Sequence, residues 1–143
     1  MKSKLLSRDN DRTYAVVFET GEEVMSGLQK FARENRLDAC HFTAIGAFRD
    51  ATLAFFDPDQ KEYLKIPVAE QVEVLSLVGD ITLDNDQPMV HAHVVVGTAD
   101  GTARGGHLLQ AHVRPTLEVM AVETPGPLRR RIDPESGLAL IAL

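Results

Sequence analysis

The 143-residue chain has few residues that could cross-link or reinforce its hydrophobic core. It contains one cysteine, no tryptophan and 6% aromatic residues. The lone thiol of Cys40 cannot close a disulfide within the chain, and its apolar neighbours indicate a small buried side chain rather than a reactive one. Hydrophobic residues make up 44% of the sequence, which suffices for a packed core. The length fits one domain, predicted to span 1–143 with its core at about 12–143.

An excess of positive charge is also missing, because 15 basic residues stand against 21 acidic ones and the net charge is −6. This balance argues against tight binding to nucleic acid, which needs a basic footprint. The one basic cluster, Arg129–Arg131, is followed by Asp133 and Glu135, a pattern typical of a solvated loop. No stretch approaches a membrane span and Met1–Asn10 has no leader pattern, so we expect a cytoplasmic protein without a membrane partner.

One amphipathic helix is predicted after Thr20. Val24, Leu28, Phe31 and Ala32 share a helical stripe. Thr20 and Glu23 have the spacing of a capping box, in which each side chain bonds the backbone of the other. We therefore expect the helix to begin just after Thr20.

The rest of the chain alternates as strands do. Ala39–Ile45 and Ala51–Phe56 are predicted as separate strands divided at Gly46, and Leu108–His112 fits either a strand or a short helical turn. No βαβ alternation is present. The sequence thus predicts an α+β fold: a mainly antiparallel β-sheet of about seven strands with one main helix and short extra helical turns.

Three histidines form the main candidate site. His91 and His93 are two residues apart on a predicted strand, so they share one face with Cα atoms roughly 6.5–7 Å apart. The Asp100-Gly101 pair favours a tight turn that would bring His107 back beside them. Gly105-Gly106, before His107, indicates either a close backbone approach or a positive φ. Three histidines with an open fourth position are the ligand set of many zinc sites, although each could also be an ordinary core or surface histidine.

A cupin-type site and a zinc hydrolase are two further interpretations of the His-x-His pair. A cupin would place a glutamate shortly after the His-x-His pair, but Val95–Thr98 holds none. A zinc hydrolase needs a base and polar partners, for which Glu118, Thr116 and Arg104 are candidates by residue type. Glu118 is also consistent with an outward carboxylate or a partner of a ligand. His41 and His112 are expected to be structural.

Several segments in this order resemble the PPC (plants and prokaryotes conserved) domain, from about Arg12 to the end. The resemblance rests on Gly21–Glu23, Ile45–Ala47, Tyr63, Glu73–Gly79, His91–His93, Gly101, Gly105–Leu108 and Thr116–Glu118. It implies an antiparallel sheet flanked by helices, a homotrimer, and a metal, zinc, associated with His91, His93 and His107. In plants the domain follows an AT-hook that contacts DNA, but this sequence has no Arg-Gly-Arg-Pro hook.

The favoured function is therefore a metal-binding, trimeric, stand-alone PPC-like domain that acts as a binding or regulatory module for a small ligand or protein partner. A small metal-dependent enzyme with an ion-activated water is the alternative, and DNA binding by family analogy comes third. The apolar end, Leu138–Leu143, should pack between subunits or pair as a strand within its own chain.

Overall fold

A computed structural model describes residues 1–7 and 11–143, so Arg8–Asn10 of the Met1–Asn10 segment lie outside the described residues. The single helix of the described ranges is α1 (Val24–Asn35). The strands are β1 (Lys2–Ser7), β2 (Thr13–Glu19), β3 (Ala39–Asp57), β4 (Glu62–Val68), β5 (Val72–Asp84), β6 (Gln87–Gly97), β7 (Ala103–Glu123), β8 (Arg129–Ile132) and β9 (Ala139–Ala142). The predicted α+β class is confirmed. No helix among the described residues has the length and apolar character needed to cross a membrane.

The strands form one sheet in the order β1-β2-β7-β3-β5-β8-β9, with β4 paired to β3. All pairings are antiparallel except the short β5–β8 contact. Strand β6 pairs with both β5 and β7, so β3, β5, β6 and β7 pair in a closed cycle. In the core, Phe18, Phe31, Phe42 and Phe48 are fully buried.

The described residues form nine strands against the expected seven or so, because short strands at both ends were missed. Two strands, β3 and β7, are also longer than predicted and each joins segments that were expected to be separate. Strand β3 continues through Gly46, where the pairing with β5 and β7 shifts register instead of ending. A Cβ atom at Gly46 would overlap the carbonyl oxygen of Thr116, so this glycine marks a close backbone approach within a strand. Leu108–His112 is part of β7 and is therefore strand. The short extra helical turns that were expected do not occur in residues 1–7 and 11–143, where α1 is the one helix.

The helix begins later than predicted, and the capping box is wrong. Glu23 itself caps α1, accepting hydrogen bonds from the amides of Met25 (3.0 Å) and Ser26 (2.7 Å). Thr20 donates instead to the carbonyl of Pro115. The amide of Gly21, at φ 89°, donates to Val113 of β7, which holds this segment outside the helix.

The sheet has one exposed side, here called the outer face. It is defined by exposed Val17, Ile45, Val78, Val95 and Met120. These residues share a side because directly paired residues point the same way and strand side chains alternate. The opposite side of the sheet packs on the core, and α1 covers β6 and β7 there. The outer face is the surface on which the histidines stand.

We predict that Glu23→Ala lowers the free energy of unfolding by about 1 kcal/mol near neutral pH, because the helix loses its cap. Burial alone would raise the pKa of Glu23, but hydrogen bonds from Ser26, Met25 and Ala111 outweigh it and hold the pKa below its usual 4.5. A carboxyl group with a lower pKa in the folded than in the unfolded state stabilises above the unfolded pKa and stops doing so as pH falls through the folded pKa. The effect of the substitution should therefore shrink at about pH 3.

Urea unfolding at the two pH values measures this effect. Glu34→Ala is the matched control, because Glu34 is an exposed glutamate of the same helix with only a 3.8 Å contact to Lys30. It should change stability by less than about 0.5 kcal/mol. Equal losses for Glu23→Ala and Glu34→Ala would contradict the capping role.

Candidate metal centre

The β6–β7 hairpin places the three histidines together. His91 and His93 alternate onto the outer face of β6, and His93 is directly paired with His107 of β7. The turn between the strands closes as predicted. Gly101 has φ 83° and donates to Thr98, whose own amide donates to Thr102. The sequence features that predicted the hairpin therefore account for the meeting of the rings.

The three imidazoles form a compact triangle. Their ring centroids lie 5.1 Å apart for His91–His93, 5.0 Å for His91–His107 and 5.4 Å for His93–His107. One nitrogen from each ring lies within 4.8 Å of the other two. Nitrogens that coordinate one zinc ion at about 2.0–2.1 Å lie within such a range of one another. The arrangement can hold a single ion with little movement.

The glycine pair before His107 is explained by a close backbone approach at Gly106. Neither Gly105 nor Gly106 is among the residues with positive φ, so close approach is the reason for Gly106. A Cβ atom there would lie 2.7 Å from the carbonyl oxygen of Ala54, which is paired with His107. The glycine allows β7 to lie close to β3 just before the third histidine.

Two of the rings have lowered pKa values. Burial lowers the pKa of His107 to about 4, with further lowering from neighbouring His91 and His93. Burial followed by the proximity of His91 also lowers the pKa of His93. At physiological pH these rings carry a free nitrogen lone pair, as a metal ligand must. The Nδ1 atom of His107 is buried and finds no hydrogen-bond partner among the described residues, which fits a group whose partner is an ion.

Sequence reasoning missed two polar residues beside the triangle. Asp80 of β5 is paired with His91, and its Oδ2 lies 3.5 Å from Nδ1 of that ring. Its Oδ1 accepts a 2.6 Å hydrogen bond from Arg130 of β8. Burial alone would raise the pKa of Asp80, but its contacts with His91 and Arg130 outweigh burial and lower it. The β5–β6 register that pairs Asp80 with His91 is a long-range feature, and Arg130 lay in a cluster interpreted as solvated.

Two aromatic side chains lie on another side of the histidine cluster. The ring of Tyr63 lies 4.8 Å from that of His107, and Phe56 lies 5.3 Å from Tyr63. Both belong to the β3–β4 hairpin, next to the strand position that pairs with His107. Tyr63, identified by the resemblance alone, thus lies at the edge of the site.

The candidate catalytic partners lie elsewhere in the chain. Glu118 is exposed on β7 and paired with Ile45, whereas His107 is paired with Ala54, nine positions further along β3. The two polar candidates have partners of their own: Thr116 donates to Phe18, and Arg104 lies 3.9 Å from Glu70. Within one subunit, none of these three residues belongs to the histidine cluster.

The other singled-out side chains are not part of the histidine triangle. His112 contacts Asp50 at 2.6 Å, and His41 is exposed on β3. Cys40 is buried, and burial, aided by nearby Glu123, raises the pKa of its thiol to about 12. A thiol with so high a pKa is unreactive at neutral pH.

Residues 6–125 match the Plants and Prokaryotes Conserved (PCC) domain. The chain belongs to the PCC domain family. This confirms the resemblance, since PPC is another name for the domain and the match includes all three histidines. It ends at residue 125, before β8 and β9.

Solved structures similar to this PCC protein cover nearly the whole chain. A candidate DNA-binding protein from Bacteroides thetaiotaomicron is 28% identical, with a TM-score of 0.88 over 98% of this chain and 96% of its own. A PPC protein from Pyrococcus horikoshii is 29% identical, with a TM-score of 0.87 over 99% and 95%. A protein from Archaeoglobus fulgidus described as metal-containing is 29% identical, with a TM-score of 0.86 over 99% and 97%.

Two curated relatives are much longer proteins. The bifunctional protein GlmU of two Synechococcus strains is 34% identical over 98 residues and 30% identical over 120 residues. These segments cover 68% and 82% of this chain but only 14% and 18% of the relatives. The chain thus spans less than a fifth of each GlmU protein, and the similarity is to one portion of it.

Proposed function

We propose that this PCC protein binds one divalent metal ion, zinc, through His91, His93 and His107, and that the bound ion serves a binding or regulatory module. The observation that carries the proposal is the meeting of three imidazoles, two with lowered pKa values, within reach of one ion. Neutral imidazoles suit zinc among the common divalent ions. The similar Archaeoglobus fulgidus protein described as metal-containing supports the assignment.

The surroundings favour a binding module over an enzyme. Three histidines leave one position of a tetrahedral ion for a small ligand or a partner's side chain. Asp80, the carboxylate in contact with the cluster, is held by Arg130 and His91, and Glu118 of the same subunit is not part of the histidine cluster. A hydrolytic zinc site needs a base free to take a proton from water.

The proposal includes a cytoplasmic location. Cys40 is a single buried thiol and needs no oxidising compartment to form a disulfide.

Elemental analysis of untagged protein tests the site. We expect one zinc ion per chain, removable by a chelator and restored by added zinc. The triple variant His91→Ala, His93→Ala, His107→Ala should bind none. His112→Ala is the matched control and should keep its metal, because that ring contacts Asp50 outside the cluster. Unchanged metal content in the triple variant would place the ion elsewhere.

We also propose that the protein is a homotrimer whose subunits meet on the outer face. The face exposes Ile45 (64%), Val78 (49%) and Met120 (46%), and Val78 is paired directly with His93. An apolar surface of this kind is typical of an interface. A second copy as occupant follows from the family resemblance, and a head-to-tail contact repeated around an axis closes a ring. The metal centre would then lie at a subunit boundary.

The apolar C-terminal segment has a partner within its own chain. Ala139–Ala142 pairs with Arg129–Ile132, the arrangement stated as the alternative to packing between subunits. Leu140 and Ile141 nevertheless remain exposed on β9. We propose that this strand adds to the subunit contact rather than forming it alone.

Light scattering at micromolar concentration measures the assembly. Ile45→Glu and Met120→Glu should convert the trimer to monomer, because each buries a charge in the proposed interface. Leu64→Glu is the matched control: Leu64 is exposed on β4, where its partner Phe55 points away from the His107 side. Leu140→Glu measures the share of β9. A monomeric wild type, or a trimer lost only in the Leu64 variant, would overturn the assignment.

DNA binding is not favoured for this chain, although the Bacteroides thetaiotaomicron protein is described as a candidate DNA-binding protein. The net charge is −6. Within the basic cluster, Arg129 is paired with Asp86 and Arg130 with Asp80, so two of its three charges already have carboxylate partners. Phosphate binding would have to displace them.

We therefore expect no complex with duplex DNA in a mobility-shift titration at about 150 mM salt. An established DNA-binding protein serves as the positive control. A sub-micromolar complex that weakens as salt rises would contradict this expectation and favour the family analogy.

A further inference from the structure

The hairpin of β8 and β9 lies beyond the matched domain, yet it places a buried arginine against the metal centre. Arg130 is 6% exposed. It donates from Nε to Thr82 (2.7 Å), from Nη1 to the carbonyl of Ala139 (2.7 Å) and from Nη2 to Asp80 (2.6 Å). The guanidinium thus joins β5, β8 and β9 at one point. A group this buried, with three partners, has a fixed orientation.

Asp80 connects Arg130 to His91, the first of the three histidines. One carboxylate oxygen accepts from Arg130, and the other faces Nδ1 of His91 at 3.5 Å. The Nε2 atom of His91 is then the nitrogen available to an ion. His107 differs, because its Nδ1 has no hydrogen-bond partner among the described residues.

We propose that Arg130 and Asp80 are positioning residues that hold the proton of His91 on Nδ1 and so present its Nε2 to the metal. A histidine ligand usually donates its second ring N–H to a carboxylate, which sets the tautomer and the ring angle. Arg130 fixes where that carboxylate stands. The C-terminal hairpin thereby becomes part of the metal centre. This inference rests on the proposed metal site.

Two measurements test the arrangement, and the first needs no metal. Nitrogen-15 NMR of the metal-free protein at about pH 8, above the ordinary histidine pKa, reports which nitrogen of His91 carries the proton. We expect Nδ1–H in the wild type and a shift towards Nε2–H in Asp80→Asn and Arg130→Gln. The second measurement is zinc affinity by chelator competition. Both variants should bind about 10- to 100-fold more weakly.

The chain offers a matched control on the same strand. Arg129→Gln removes an exposed arginine that is paired with Asp86, away from the histidines. It should leave the tautomer unchanged and zinc affinity within about twofold. Arg130→Lys keeps the charge but cannot reach three acceptors at once, so it should restore part of the affinity. If Arg130→Gln fails to fold, Asp80→Asn and the isosteric Thr82→Val carry the test. The second variant removes the acceptor of Arg130 Nε together with a 3.4 Å hydrogen bond to Asp80.

The outcomes separate this inference from the proposed function. Unchanged tautomer and zinc affinity in Asp80→Asn would overturn the inference, even where stability falls. If the wild type binds no zinc but its Nδ1–H tautomer depends on Asp80 and Arg130, the metal proposal fails while the positioning role stands. Loss of zinc affinity in Arg129→Gln equal to that in Arg130→Gln would show a general charge effect and would also overturn the inference.

Discussion

Directly paired residues on neighbouring strands stand on the same face of a sheet, with Cβ atoms about 5 Å apart. Two such pairs build the metal centre: His93 with His107 across β6–β7, and His91 with Asp80 across β5–β6. A slip of one residue in either register would turn one partner into the core. The buried alternation on β6, where Val90, Ala92, Val94 and Val96 face inward, opposes that slip. Core packing therefore holds the ligand geometry as well as the fold.

The centre could be predicted from sequence only where its geometry is local. The i, i+2 spacing of His91 and His93 and the Asp100-Gly101 turn act over a few residues, and both led to the correct hairpin. Asp80 and Arg130 reach the centre through strand pairing at sequence separations that no local pattern encodes. This is why the site predicted from the sequence did not include them.

The difference between local and long-range interactions also explains the errors in the predicted fold. The apolar stripe identified α1 correctly, but its start depended on Gly21 donating to Val113 of a distant strand. Gly46 was interpreted as the end of a strand because glycine weakens strands in general. Here the neighbouring Thr116 backbone comes so close that only glycine fits, and the strand continues. Tertiary contact outweighs local propensity in both places.

Asp80 also shows why an acidic chain places an arginine beside its histidines. A half-buried carboxylate loses part of its hydration, a cost that must be offset by hydrogen bonds or opposite charge. Arg130 supplies both, and the carboxylate therefore remains ionised with a lowered pKa. An ionised Asp80 can accept from His91, whereas a protonated one would compete as a donor. The buried ion pair thus preserves the acceptor that the first histidine requires, and it ties the last two strands of the chain to the outer face of the sheet.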